Sequence, residues 1–206
     1  MKVPVRLNDI IKDARILYIE ESQFGFLDEW RESLGDDTNP IPIDAVNFAT
    51  LACKRFSAHS PFENYVHDIA EIADFLRDNP YSEVANLVAV AADWFPTSRI
   101  VGLAHFRRTW SNNLILDYLA VHPLIARPNK DSPLIVRGVG TALLFFLCSL
   151  ARRYECGCIW GEATQNCCDF YQKVFNLDSV KDLLYIPRRN FIGFLAALEQ
   201  NWKSER

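Results

Sequence analysis

No stretch of the chain approaches the ~18 consecutive apolar residues that a membrane-crossing helix needs, and no charged-then-apolar leader opens it. The expectation is a cytoplasmic protein with no membrane partner. A basic surplus is missing as well. With 22 Lys+Arg against 26 Asp+Glu the formal charge is −4, whereas nucleic-acid-binding domains usually carry an excess of cations. Nucleic acid is therefore not an expected partner, and the mild acidity suits an amine or other cationic substrate. Histidine is scarce, with four in the chain, and Cys156-x-Cys158 with Cys167-Cys168 lacks the usual C-x₂₋₄-C spacing of a zinc site, so no metal is expected. With 50% apolar residues the chain can bury a core without covalent staples, so its cysteines (53, 148, 156, 158, 167 and 168) read as reduced thiols filling core and helix surface. Internal repeats and low-complexity tracts are absent too. A length of 206 residues fits one domain, or one domain with a small helical addition.

What is present begins with Ile16-Leu17-Tyr18-Ile19, a short apolar run read as the first strand. Phe26, Leu27, Trp30 and Leu34 then recur at helical spacing, and Gly35 to Pro42 breaks the pattern. Asp44 reads as the cap of a helix running to about Ser57. A further helix is expected from Ser60-Pro61, with Glu63 in its first turn and a stripe of Tyr65, Ile69, Ile72, Ala73 and Leu76; Asn79-Pro80 ends it. Three β-rich runs follow, Asn86–Ala92, Ile100–Thr109 and Leu114–Val121, joined so tightly that they must be antiparallel neighbours. Cys158–Ala163 reads as a strand returning parallel to Leu114–Val121. A short helix over Asn166–Val174, a strand at Leu183–Ile186 and a C-terminal helix through Phe191, Phe194, Leu195 and Leu198 complete the reading.

The stretch that organises the chain is Asn113 to Leu150. The strand Leu114–Val121 leads through a loop into Arg137-Gly138-Val139-Gly140-Thr141-Ala142, and an apolar helix starts at once with Leu143-Leu144-Phe145-Phe146-Leu147. A helix start has amides without internal partners and a partial positive charge, and glycines let the backbone come close to an anion. The nucleotide-binding patterns fit poorly: no Lys-Ser/Thr follows the glycines as a P-loop requires, and the third glycine of a Rossmann turn is missing.

Arg137, Gly140 and Ala142 match the Arg/Gln-x-x-Gly-x-Gly/Ala signature of the GNAT superfamily of N-acetyltransferases. Ala120-Val121-His122-Pro123 resembles that family's strand end before the signature. Glu162-Ala163-Thr164-Gln165-Asn166 followed by Phe170-Tyr171-Gln172-Lys173 is similar to its second block, so the likeness spans roughly residues 84 to 185. The resemblance implies an α/β (α+β) fold: a mixed, mainly antiparallel sheet flanked by helices, here with extra N-terminal helices. It implies a single domain over 1–206. Within it, 1–83 would be a strand plus a helical acceptor-side segment, 84–187 the acetyl-CoA-binding core, and 188–206 a C-terminal helix or strand.

Acetyl-CoA, or another acyl-CoA, is the implied co-substrate, and the partner a primary amine on a small molecule, peptide or protein. In this family the first-turn backbone of Arg137, Gly138, Val139, Gly140, Thr141 and Ala142 would hold the pyrophosphate. The main chain of Leu119, Ala120 and Val121 would pair with the pantetheine arm, Asn166 would touch it or cap its own helix, and Tyr171 would protonate the leaving thiolate. For the base, strand parity offers Glu162 first and Asp117 second, with His105 and His122 behind them. A covalent cysteine route has no visible Cys–His pairing.

Two departures stand out. Thirteen residues separate Pro123 from Arg137, and the stretch of them from Leu124 to Pro133, with Arg127 and Lys130, reads as an exposed loop. After Lys173 the family usually has Gly-Phe, where this chain has Val174-Phe175-Asn176-Leu177. The alternative to an enzyme is a non-catalytic CoA-binding or protein-interaction module of the same fold. An RNA-acetylating toxin is disfavoured by the acidic charge. The acceptor's identity and a homodimer are left open by the sequence.

Overall fold

The computed structural model describes residues 1–58, 64–65, 69–126 and 134–204. In chain order the elements are β1 (Lys2–Leu7), β2 (Ile10–Tyr18), α1 (Phe26–Leu34), α2 (Pro40–Ser57), β3 (Asn64–Tyr65), α3 (Ile69–Asp78), β4 (Val84–Ala91) and β5 (Ile100–Arg108). They continue with β6 (Leu114–Val121), α4 (Pro123–Ala126), β7 (Val136–Arg137), α5 (Val139–Arg153), β8 (Cys158–Glu162), α6 (Cys168–Phe175), β9 (Leu183–Pro187) and α7 (Arg188–Ser204). The strands lie in the order β7-β1-β2-β4-β5-β6-β8-β9, with β3 beside β4. Pairing is antiparallel for β1–β2, β1–β7, β2–β4 and β8–β9, and parallel for β3–β4 and β6–β8. This is the expected mixed, mainly antiparallel sheet with helices, and its segment after β9 is a helix.

The chain divides into two compact units. The first comprises Met1–Phe62, Asn86–His105 and Tyr118–Leu143; the second comprises Glu63–Ala85, Phe106–Asp117 and Leu144–Arg206.

In the first unit, β1 and β2 form a hairpin that the sequence reading reduced to Ile16–Ile19. Leu7 pairs with Ile10 across the two-residue turn Asn8-Asp9, and Asn8 takes the left-handed conformation (φ 53°) that such turns favour. Val3, Val5, Ala14 and Ile16 are buried at alternate positions of the two strands, the pattern of a sheet with one packed face. The helix expected to be capped by Asp44 starts earlier. Asn39 is its cap, with Oδ1 accepting from Ile41 N at 2.9 Å, and Pro40 fills the first helical position, where a missing N–H costs nothing. Trp30 of α1 is fully buried and donates Nε1–H to Ile100 O at 2.8 Å, tying the helix to β5.

In the second unit, Tyr65 belongs to the short strand β3 and not to a helical stripe; the helix that follows is α3, from Ile69. The expected helix start at Ser60-Pro61 lies outside the described residues, as do Arg127 and Lys130. β6 and β8 come so close that a Cβ on Gly161 would lie 2.5 Å from Leu116 O, which explains a glycine inside a strand. Phe106 of β5 meets Phe146 of α5 edge-on at 6.3 Å, while Phe175 of α6 meets Phe194 of α7 at 5.1 Å. The altered Gly-Phe position has a physical resolution. α6 ends at Phe175, Asn176 makes the left-handed turn (φ 50°, ψ 57°), and Asn190 Nδ2 donates to Phe175 O at 2.9 Å.

Candidate active site

The first unit holds the glycine turn. Gly138 adopts φ 92°, a conformation strained for any residue with a side chain, and its carbonyl accepts the first helical hydrogen bond of α5, from Ala142 N at 2.8 Å. Gly138 is thus the N-cap, and the amides of Val139, Gly140 and Thr141 are the first-turn donors that helix geometry leaves unpaired. No acidic side chain occurs between Arg137 and Ala142. What such a turn can hold chemically is an anion.

A strand the sequence reading did not anticipate, β7, fixes the turn from its other side. Arg137 pairs with Arg6 and Val136 with Leu7, and Ile135 N donates to Asn8 Oδ1 at 2.9 Å. Arg137 and Arg6 are both exposed, so two guanidinium-bearing residues stand opposite one another in the ladder immediately before the helix start. Like charges in that relation are unfavourable by themselves.

Gly102, also unremarked in the sequence, brings the helix start close to the strand end. A Cβ there would sit 2.5 Å from Val139 Cγ1, 3.2 Å from Leu143 Cδ1 and 3.6 Å from Ala120 O. The missing side chain therefore lets the first turns of α5 rest on β5 next to Ala120. A glycine inside the run Ile100-Val101-Gly102-Leu103 was the available signal. Leu119 and Val121 are half-buried and Ala120 is buried. On the β8 side the parallel ladder takes in only Leu114, Ile115 and Leu116, pairing them with Ile159, Trp160 and Gly161. β6 continues past the last residue of that ladder through Asp117, Tyr118, Leu119, Ala120 and Val121.

His122, at the end of this strand, is fully buried between Trp30 (rings 5.4 Å apart) and Phe95 (4.8 Å). Its Nδ1 accepts from Leu124 N at 3.2 Å, which leaves the proton on Nε2, 3.3 Å from Thr97 Oγ1. Burial pushes the ring's pKa down to about 4, so it is neutral at ordinary pH and serves as a packed hydrogen-bonding element. His105 is likewise fully buried, 6.4 Å from the Tyr118 ring.

The remaining sequence-derived residues lie in the second unit. Tyr171 is buried in α6, and burial first, then Cys167 and Cys168, push its phenol well above the ordinary value. It stays protonated under all ordinary conditions. Asp117 accepts both arms of Arg107, Nε to Oδ2 and Nη2 to Oδ1, each at 2.9 Å. Glu162 is exposed at the end of β8, and its side chain has no hydrogen bond or ion pair to any described residue. Asn166 is exposed and precedes the N-cap of α6, which is Cys167. All six cysteines are free thiols, and no group of three metal-ligating side chains occurs among the described residues. No helix among them is long and apolar enough to cross a membrane.

No protein-family model matches the sequence, and no curated protein matches it either. Solved structures do. An acetyltransferase of the GNAT family from Staphylococcus aureus aligns over 85% of this chain and 99% of its own, with a TM-score of 0.48 and 13% identity. An acetyltransferase from Trypanosoma brucei aligns over 78% and 90%, with a TM-score of 0.39 and 18% identity. A tandem GNAT protein from the clavulanic acid biosynthesis pathway aligns over 73% of this chain at a TM-score of 0.41 and 16% identity; the chain spans 36% of that protein's length. In its two sequence blocks, and in its mixed sheet with a glycine turn opening α5, the chain resembles the GNAT superfamily of N-acetyltransferases.

Proposed function

We propose that the protein is an acyl-CoA-dependent N-acyltransferase that moves an acetyl group to a primary amine by direct attack. The observation that carries this reading is the first-unit arrangement: unpaired amides at the start of α5, set by Gly102 against the β6 strand end. Those amides, with Arg137 beside them, suit a pyrophosphate. The main chain of Leu119, Ala120 and Val121, beyond the last β6 residue paired with β8, suits a pantetheine amide chain. When bound, acetyl-CoA supplies the activated thioester. The amine must shed a proton and the departing sulfur must gain one. In this reading Tyr171, held protonated, is the proton donor to the sulfur. Glu162 is the first base, because no described residue engages its oxygens; Asp117 would have to release Arg107 before taking a proton. Asn166 is proposed as a contact for the pantetheine arm.

Calorimetric titration with acetyl-CoA tests the cofactor site. Wild type is expected to bind in the micromolar range and Gly140→Glu, which puts a bulky carboxylate into the turn, to bind at least tenfold more weakly. No binding by wild type would remove the enzymatic reading. Tyr171→Phe separates an enzyme from a CoA-binding module. Its expected signature is unchanged acetyl-CoA affinity with turnover lowered by roughly 10²-fold, the smaller end of general-acid effects.

A further inference from the structure

β8 and β9 carry an open face whose aromatic chemistry the acyl-transfer reading has not used. Trp160 stands directly opposite Tyr185, and Glu162 opposite Leu183. Residues two apart on a strand share a face, as do direct cross-strand neighbours, so these four side chains form one patch. Trp160 is 38% exposed, Tyr185 53% and Leu183 62%, and Glu162 is exposed beside them. The alternate residues Ile159, Gly161, Leu184 and Ile186 are buried, so the packed face of this strand pair is the other one.

Two features make the patch more than an exposed aromatic pair. The indole and phenol rings make no ring contact with one another or with any other described residue, so neither exposed ring is engaged by an aromatic or cationic neighbour of its own. Glu162 is the only charged residue in the two strands, and its carboxylate too has no partner among the described residues. Aromatic faces attract cations, the carboxylate adds a full opposite charge, and Leu183 offers an apolar rest for hydrocarbon. An anionic ligand would be repelled by the carboxylate, and a neutral one would forgo both the charge pairing and the cation–π attraction.

We infer that the Trp160–Tyr185–Leu183 face, with Glu162 at its corner, binds an alkylammonium group. Naming that group as the acceptor rests on the acyl-transfer reading: the acceptor is then an aliphatic amine that docks as its cation and gives a proton to Glu162 before attack. The binding of the cation does not rest on it.

The test uses choline and its neutral isostere 3,3-dimethylbutan-1-ol, neither of which has an amine to acetylate. Each is titrated into the full chain while the Trp160 indole N–H is followed by NMR. Choline is expected to shift that signal and to bind at least tenfold more tightly than the alcohol. Trp160→Leu, followed through heat of binding, and Tyr185→Leu or Glu162→Gln, followed through either signal, should each weaken choline severalfold. Trp160→Phe should keep part of the affinity, and acetyl-CoA binding should be unchanged in the Trp160 and Tyr185 variants. Equal binding of the two probes, or choline binding indifferent to these substitutions, overturns the inference. A dimer in sedimentation that Trp160→Leu and Tyr185→Leu both disperse overturns it as well, by showing that a second copy covers the face. If choline binds as expected while acetyl-CoA does not bind, the cation site stands and the acyl-transfer reading fails. Acetyl-CoA binding without a preference for choline has the reverse meaning.

Discussion

At the scale of single residues, His122 shows how environment decides a role. From its place between Val121 and Pro123 it stood among the bases that an amine acetylation needs. Its surroundings instead hold it neutral between two aromatic rings, with both nitrogens engaged. The energetic consequence has a definite sign. The unfolded imidazole takes a proton near its ordinary value of 6.5, and the folded one only at about 4. The stability present above the first value is therefore lost as pH falls towards the second, on the order of 3 kcal/mol in all. Urea denaturation between pH 7 and pH 4 should show this acid limb in wild type and a flatter one in His122→Phe. Asp117 and Glu162 form a second contrast. Both were named from their places on the strands, and a place on a strand carries no information about Arg107, ten residues from Asp117 in sequence and bound to it through two hydrogen bonds.

Elements were legible in proportion to how much of their pattern is local. β6 was read at its true bounds because its apolar run is closed by an asparagine turn and a His-Pro step. For α7, four apolar residues at helical spacing favoured a helix over a closing strand without deciding between them. β7 was missed because two residues have no periodicity; its existence depends on Arg6 and Leu7, far earlier in the chain. β1 was missed because Val3 and Val5 are too few to announce a strand, although together with Ala14 and Ile16 they make a buried face. Asn39 was passed over for Asp44 because a helix opening Pro-Ile-Pro looks like a break until its cap is seen. The contact between α5 and β5 at Gly102 gives this scale its prediction. Gly102→Leu should displace Val139 and Leu143, moving the first-turn amides away from Ala120. Acetyl-CoA affinity should then fall about tenfold, or roughly 1.4 kcal/mol, with a far-UV circular dichroism spectrum close to that of wild type.

For the whole molecule, composition was the dependable guide. Ample apolar content and a length of 206 residues predicted a core that needs no covalent help. Every cysteine is a free thiol, and burial pushes Cys53 up to about 12 and Cys156 to about 11, which makes them poor nucleophiles. Thermal unfolding should accordingly show the same midpoint with and without a reducing agent; a lower midpoint under reduction would reveal a stabilising bridge. The division into two units was not legible, because the strands β4, β5 and β6 each contribute residues to both and no linker composition marks a boundary.

The pairing of β1 with β7 has a consequence for how the protein is made. Asn8 and Ile135, which hydrogen-bond to each other, are 127 residues apart, so the outer edge of β1 leaves the ribosome long before its partner exists. At translation rates of about 5–20 residues per second that interval is roughly 6–25 s. Through it the nascent hairpin presents an unsatisfied edge of the kind that recruits chaperones or aggregates. The glycine turn directly follows β7, so on the acyl-transfer reading a nascent chain arrested before residue 136 should have no competence for acyl-CoA.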